Sequence, residues 1–143
     1  MANAKAVIVP CVDPRFYHAH YAEGKRLSEE VFNGPVEAPA SAGSVSSLLV
    51  GDDFARGLLA NIGVVAVDLH HVTNLVVIEH EGCGYYEAQA ENGDERFAVT
   101  PETEKDVHAR NARAASKIVL EKFPTITNAI FRYARLDGTI EDL

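Results

Sequence analysis

Apolar runs separated by mixed segments predict alternating strands and helices along this chain. Residues 5–10 form a β-branched run after their first residue, and residues 75–78 form another. Unbroken apolar runs of this length are typical of strands buried on both faces. Residues 36–40 predict a short additional strand. Residues 126–136 alternate in the manner of a late strand.

The segments between these strands have helical patterns. Residues 16–32 predict an amphipathic helix that frays near Gly24 and ends at the turn of residues 33–35. A second helix starts from Asp52, with Asp52 or Asp53 as its N-cap. Its predicted buried face recurs at three- and four-residue intervals and consists of Phe54, Leu58, Leu59, Ile62, Val65 and Leu69.

Two further helices are predicted in the second half of the chain. One starts at Tyr85 and is ended by residues 92–94, and a long one is opened by Pro101 and runs through Phe123. The charges of the long helix suit its dipole, since acidic residues lie in the first turn and lysines near the end. Residues 137–138 predict a turn before the tail, and the small residues 41–44 predict a loop.

This alternation predicts an α/β fold whose mostly parallel sheet carries helices on both faces. The 143 residues suit a single domain over 1–143, and 47% hydrophobic against 24% charged residues supply its core. The net charge of −8 and the pI of about 5.1 oppose binding to nucleic acid or to anionic membrane surfaces. Without a membrane span or a secretory signal, the expected location is the cytosol, where both cysteines stay reduced.

Two short motifs contain both cysteines of the chain. Cys11, Asp13 and Arg15 directly follow the first predicted strand, and His80, Cys83 and Gly84 follow a later one. Because the carboxyl ends of parallel strands share one edge of the sheet, the motifs can converge on one ion. Two thiolates and one imidazole suit Zn²⁺, and the fourth position is left to water, to substrate or to Asp13.

Other interpretations of these residues remain open at this point. The cysteines can be ordinary buried residues and the histidine a core residue bonded to backbone. Asp13 and Arg15 can form a plain structural ion pair.

With these motifs placed, the chain resembles the β-class carbonic anhydrases. Their signatures are Cys-x-Asp-x-Arg after the first strand and His-x-x-Cys-Gly after a later one, matched here by Cys11, Asp13, Arg15, His80, Cys83 and Gly84. The resemblance implies a sheet of about four parallel strands plus an antiparallel edge strand. Residues 40–44 depart from that family's Arg-Asn-Ala-Gly-Asn loop, and no N-terminal helical arm precedes the first strand.

The resemblance implies that Cys11, His80 and Cys83 bind Zn²⁺, with Asp13 as a conditional fourth ligand. Asp13 and Arg15 then form a catalytic pair in which the arginine draws the carboxylate off the metal. The implied activity is the reversible hydration of CO₂ to bicarbonate by a zinc-bound hydroxide, the lyase reaction of a carbonate dehydratase. A homodimer or higher homo-oligomer is expected, and no organic cofactor.

Three alternatives keep part of this picture. The same zinc site can hydrolyse a CO₂ analogue such as carbon disulfide or carbonyl sulfide. The altered loop of residues 40–44 can leave a non-catalytic zinc- or bicarbonate-binding module. Cys11 and Cys83 can instead form a metal-free redox switch.

The remaining histidines and the aromatic residues beside the motifs carry weaker predictions. His18 and His20 suit either a proton relay or a surface position, of which the surface is preferred. His70, His71 and His108 are interpreted as solvated. The aromatic residues next to the motifs suit either a pocket wall or packing; they are Phe16, Tyr17, Tyr85 and Tyr86.

Overall fold

A five-stranded mixed sheet forms the centre of this computed structural model, which describes residues 3–143. The strands are β1 (Ala6–Pro10), β2 (Val36–Glu37), β3 (Asn74–His80), β4 (Asn128–Ala134) and β5 (Ile140–Asp142). Their spatial order is β2-β1-β3-β4-β5. The first four are mutually parallel, and β5 pairs with β4 in the antiparallel direction. The predicted mostly parallel sheet with one antiparallel edge is therefore confirmed.

The central strands β1 and β3 are buried on both faces, as their apolar runs predict. All five residues of β1 are buried, as are six of the seven residues of β3. The two strands pair from Ala6 with Asn74 to Pro10 with Ile78. This register places the carboxyl ends of β1 and β3 side by side, where both motifs begin.

Helices cover the sheet on both faces. One face of the sheet packs against α1 (Tyr17–Arg26), through Phe16 and Leu27 at the two ends of that helix. The other face packs against α2 (Asp53–Ala60) and α4 (Glu104–Lys122). The short helix α3 (Gly84–Glu91) lies next to the carboxyl edge, where Tyr86 packs in one cluster with Cys11 and Cys83.

Two of the helices continue directly into π-helical segments. After α1 the chain runs through a π-helical segment, Leu27–Val31, and after α2 through another, Asn61–Leu69. The predicted break near Gly24 is wrong, because Gly24 lies inside α1 and adding a Cβ there would meet only ordinary contacts. Asp52 caps α2 as predicted by accepting a hydrogen bond of 3.0 Å from the Ala55 amide.

The predicted buried face of the second helix is only half right. Leu58 and Ile62 are buried, but Phe54 is 55% and Leu69 39% exposed. The remaining core positions of this face are instead the small residues Ala55 and Ala66. Small side chains allow the helix to approach the sheet closely. The predicted face was built from large apolar residues, so it missed these alanines.

Other boundaries also differ from prediction. The second strand is shorter than predicted, ending at Glu37, and the long helix starts at Glu104 because Pro101 lies in the turn before it. The tail after the turn at residues 137–138 forms β5, which pattern alone left unassigned. In residues 3–143 no helix is both long and apolar enough to cross a membrane.

Candidate metal centre

Cys11 and Asp13 lie where β1 leaves the sheet. Cys11 is 6% exposed and forms an isolated parallel bridge with Ser41, whose amide donates to the Pro10 carbonyl at 3.0 Å. The 41–44 loop therefore packs directly beside the first motif. Asp13 then caps a 3-10 turn by accepting a 2.9 Å hydrogen bond from the Arg15 amide.

His80 and Cys83 lie at the end of β3 and the start of α3. His80 is the last residue of β3 and fully buried, and its Nδ1 donates to the Glu81 carbonyl at 2.9 Å. That bond leaves Nε2 as the free lone pair. The Nε2 atom is buried and has no hydrogen-bond partner among the described residues. Cys83, 2% exposed, is the N-cap of α3.

The structure brings Cys11, His80 and Cys83 together. One ligand atom from each lies within 4.8 Å of the other two, and all three side chains are buried. In a tetrahedral site with bonds of about 2.3 Å to sulfur and 2.0 Å to nitrogen, the ligand atoms lie roughly 3.5–3.8 Å apart, which is within that limit. A buried imidazole nitrogen without a partner is costly unless a ligand satisfies it. The residues therefore fit Zn²⁺.

The same cluster has perturbed acidities. The neighbouring Cys83 and His80 side chains lower the pKa of Cys11 to about 3, although burial opposes this. The neighbouring Cys11 and burial together raise the pKa of Cys83. Burial disfavours the charged form of His80, but the neighbouring Cys11 side chain outweighs burial, so the pKa of His80 is raised. The lowered pKa favours the thiolate form of Cys11, which is the form that binds zinc.

The Asp13 carboxylate is held beside the cluster by Arg15. The guanidinium Nε donates to both oxygens, at 3.0 and 3.1 Å, and Nη2 donates to Oδ2 at 2.6 Å. These bonds lower the pKa of Asp13 to about 2, against a smaller effect of burial. Asp13 Oδ2 lies 4.0 Å from His80 Nε2. A carboxylate bound to an arginine therefore lies next to the candidate metal ligands.

A groove of about 730 Å³ opens beside the cluster. Cys11, Asp13 and His20 line its inner end, and Val12 and Tyr17 lie along its mainly apolar wall. Two residues of the first motif, Cys11 and Asp13, therefore face this groove.

Behind His80 lies a fully buried polar network that sequence reasoning missed. Glu79 is 1% exposed; it accepts from Ser46 Oγ at 2.9 Å and from His108 Nδ1 at 2.7 Å. The His108 ring stacks on Tyr86 at 3.8 Å between centroids. One signal was available, because a glutamate inside an apolar strand run needs a buried partner.

The histidine predictions have mixed outcomes. His108 is fully buried, so its interpretation as solvated is wrong. His70 is half-buried against Glu37, to which its Nδ1 is bonded, whereas His71 is exposed. His18 is exposed, and His20 is half-buried in the groove.

The aromatic residues beside the motifs divide between core and groove. Phe16 is buried with its ring 4.3 Å from that of His80, and Tyr86 is buried in the network above. Tyr17 is 67% exposed on the groove wall. Tyr85 is half-buried and donates to Asp52 Oδ2 at 2.7 Å.

Comparisons with solved structures identify the class of fold. The chain superposes on the β-carbonic anhydrase CafA of Aspergillus fumigatus with a TM-score of 0.58 and 14% identity, covering 99% of this chain and 76% of that one. A tetrameric β-carbonic anhydrase of Sordaria macrospora gives 0.59 and 16%, covering 100% and 82%. The isoform TvaCA1 of Trichomonas vaginalis gives 0.54 and 19%, covering 99% and 83%. The fold is that of β-carbonic anhydrases.

Sequence comparison adds little to this. No family model matches the chain. An uncharacterized protein of Rickettsia bellii is 28% identical over 143 residues, covering 99% of this chain and 82% of that protein.

Proposed function

We propose that this protein is a zinc-dependent carbonic anhydrase, which interconverts CO₂ and bicarbonate. The observation that carries the proposal is the buried set Cys11, His80 and Cys83, with its unpartnered Nε2 and the restrained Asp13 carboxylate 4.0 Å from that atom. The fold shared with known β-carbonic anhydrases supports the same activity.

Three residues would hold the ion: Cys11 and Cys83 through sulfur and His80 through Nε2. Zinc bound there supplies the acidification of a water molecule at the open fourth position. The hydrogen bond from His80 Nδ1 to the Glu81 carbonyl orients the ring so that Nε2 is free for the metal, beside the two cysteines.

Asp13 and Arg15 would control the fourth position. Because Arg15 keeps the pKa of Asp13 near 2, the side chain remains a carboxylate at neutral pH and can only accept hydrogen bonds. From its place beside His80, the carboxylate can accept a hydrogen bond from a water molecule and so orient that water for attack on CO₂. The arginine's hold also prevents the carboxylate from occupying the metal itself.

The groove supports the substrate assignment. Its wall is largely apolar and includes Val12 and Tyr17, while its inner end reaches Cys11 and Asp13. CO₂ is a small apolar molecule, and an apolar approach favours it over a charged competitor.

We also propose that the working unit is a homo-oligomer. Val12, Tyr17 and Tyr21 are 56%, 67% and 68% exposed along the groove, and clustered exposed apolar side chains are typical of contact surfaces. One neighbour in fold is described as tetrameric. Light scattering on the eluting peak of a size-exclusion column tests this, and a monomer at micromolar concentration would contradict it.

The activity is tested by zinc content followed by stopped-flow CO₂ hydration on the same samples. Wild type should carry one zinc per chain and hydrate CO₂, and Cys83→Ser should lose both. Ser47→Ala serves as the control, because it changes a buried hydroxyl outside the site. Metal without turnover would refute the enzymatic proposal but not the metal site. No metal after zinc is supplied would refute both.

A further inference from the structure

Gly82 lies between the two ligand residues of the second motif, and both of its backbone polar groups are bonded to side chains. Its amide donates to Glu104 Oε1 at 2.6 Å, and its carbonyl accepts from Arg15 Nη2 at 2.7 Å. Gly82 has a φ of +67°, a conformation that glycine adopts without strain. The orientation of this residue is therefore set jointly by α4 and by the first motif.

The bond to the Gly82 carbonyl also determines where Arg15 lies. Arg15 Nη2 is shared between that carbonyl and Asp13 Oδ2, at 2.7 and 2.6 Å. The arginine side chain is 52% exposed, and its guanidinium carbon lies 5.6 Å from the centre of the Phe16 ring. Its position, and with it that of the Asp13 carboxylate, depends on these hydrogen bonds.

Glu104 is well placed to anchor this arrangement. It is the first residue of α4, and its side chain is 15% exposed, with Oε1 also 3.9 Å from His108 Nε2. A hydrogen bond to a carboxylate is stronger than one to a neutral acceptor. A continuous path of contacts thus leads from Glu104 through Gly82 and Arg15 to Asp13, beside the metal ligands.

We propose that Glu104 is a positioning residue, which holds Gly82 so that Arg15 keeps the Asp13 carboxylate off the fourth metal position. This inference rests on the proposed metal site. It adds a residue at least 20 positions from either motif and assigns it control over the metal's open coordination position rather than contact with substrate.

Cobalt(II) substitution with azide as a probe tests the proposal without measuring turnover. In Glu104→Ala, the freed Asp13 carboxylate should enter the cobalt coordination sphere and change the visible spectrum. Azide then has to displace it, so its apparent affinity should fall about tenfold. Adding Asp13→Asn to Glu104→Ala should restore the wild-type azide affinity.

Three further variants distinguish the effect of side-chain length at position 104 from the effect of its charge. Glu104→Asp keeps the charge but is one methylene shorter, so it should behave like Glu104→Ala. Glu104→Gln retains an oxygen acceptor at the original length but loses the charge, so its azide affinity should fall less than that of Glu104→Ala. Glu102→Ala removes an exposed carboxylate from the preceding turn and should leave the spectrum and azide affinity unchanged.

The outcomes distinguish this inference from the proposed function. If wild type binds no cobalt, the metal site and this inference both fail. If wild type binds cobalt, and Glu104→Ala and Glu104→Asp have the same spectrum and azide affinity as wild type, only the positioning role is overturned. Amide hydrogen exchange of Gly82 on the metal-free variants shows whether its hydrogen bond was lost, so faster exchange with unchanged cobalt spectra also overturns the role.

Discussion

Replacing His108 with phenylalanine tests the importance of the buried network behind the site. Phenylalanine keeps a ring on Tyr86, where the two rings now stack at 3.8 Å, but it removes the Nδ1 donor. Glu79, 1% exposed, would retain only its 2.9 Å bond from Ser46. Removing one partner of a buried hydrogen-bonded pair of ionisable groups costs about 3–5 kcal/mol.

The expected loss is large enough to measure easily. At about 2.1 cal/mol/K per residue, a chain of 143 residues has an unfolding entropy of about 0.3 kcal/mol/K, so Tm should fall by about 10–17 °C. Calorimetry and urea titration should be run on metal-free, reduced protein, so that zinc affinity does not contribute. His18→Phe is the control, because His18 is exposed and its replacement should change stability by less than about 0.5 kcal/mol.

A double variant decides whether the cost arises from the pair. Glu79→Leu combined with His108→Phe removes both polar groups together, so its cost should be lower than the sum of the single costs by about 2 kcal/mol. Single costs that add to within about 0.5 kcal/mol would refute the argument, because they would mean that the two side chains do not interact.

Three other predictions follow from the same structure. Arg15→Gln should raise the pKa of Asp13 from about 2 toward its ordinary value, measured by carboxyl ¹³C NMR, and an unchanged value would contradict the role of the guanidinium. Because folded wild type binds fewer protons at Asp13 than the unfolded chain, this contribution is present above about pH 4 and is lost as pH falls toward 2. Burial lowers the pKa of His20 to about 4. The folded protein then binds fewer protons at His20 than the unfolded chain, so the free energy of unfolding should decrease as pH falls from about 6.5 to 4. A His20 ring that titrates near pH 6.5 in proton NMR would exclude this. Gly43→Ala should lower stability by about 1–3 kcal/mol in thermal unfolding, because Gly43 has a φ of +67° and a Cβ there would lie 2.4 Å from Tyr85 Cδ1; an unchanged Tm would be inconsistent with that clash.

The sheet was predictable because each of its central strands contains an unbroken apolar run. Buried parallel strands produce an unambiguous run of β-branched residues, as in Ala6–Pro10, whereas β5 is three residues long and contains two acids. The predicted helix face from Asp52 includes Phe54 because periodicity favours large residues. The structure instead buries Ala55 and exposes Phe54.

Some residues of the site could be predicted from short motifs, whereas others are brought to it only by the packing of distant segments. Cys11, Asp13, His80 and Cys83 lie in two short motifs at strand ends, so their convergence follows from parallel pairing alone. Glu104 meets Gly82 only because α4 packs over the carboxyl edge, and no spacing in the chain encodes that contact. Contacts that arise from helix packing, such as this one, can be identified only from the three-dimensional structure.

The pairing of β1 with β3 also sets an order of events during synthesis on the ribosome. Cys11 is translated 72 residues before Cys83 (83 − 11), and at about 5–20 residues per second this separates them by roughly 4–14 s. During that interval the nascent chain carries a thiol without its future neighbours. Because the three proposed ligands follow the ends of both strands, the proposed metal site is complete only once β1 and β3 have paired.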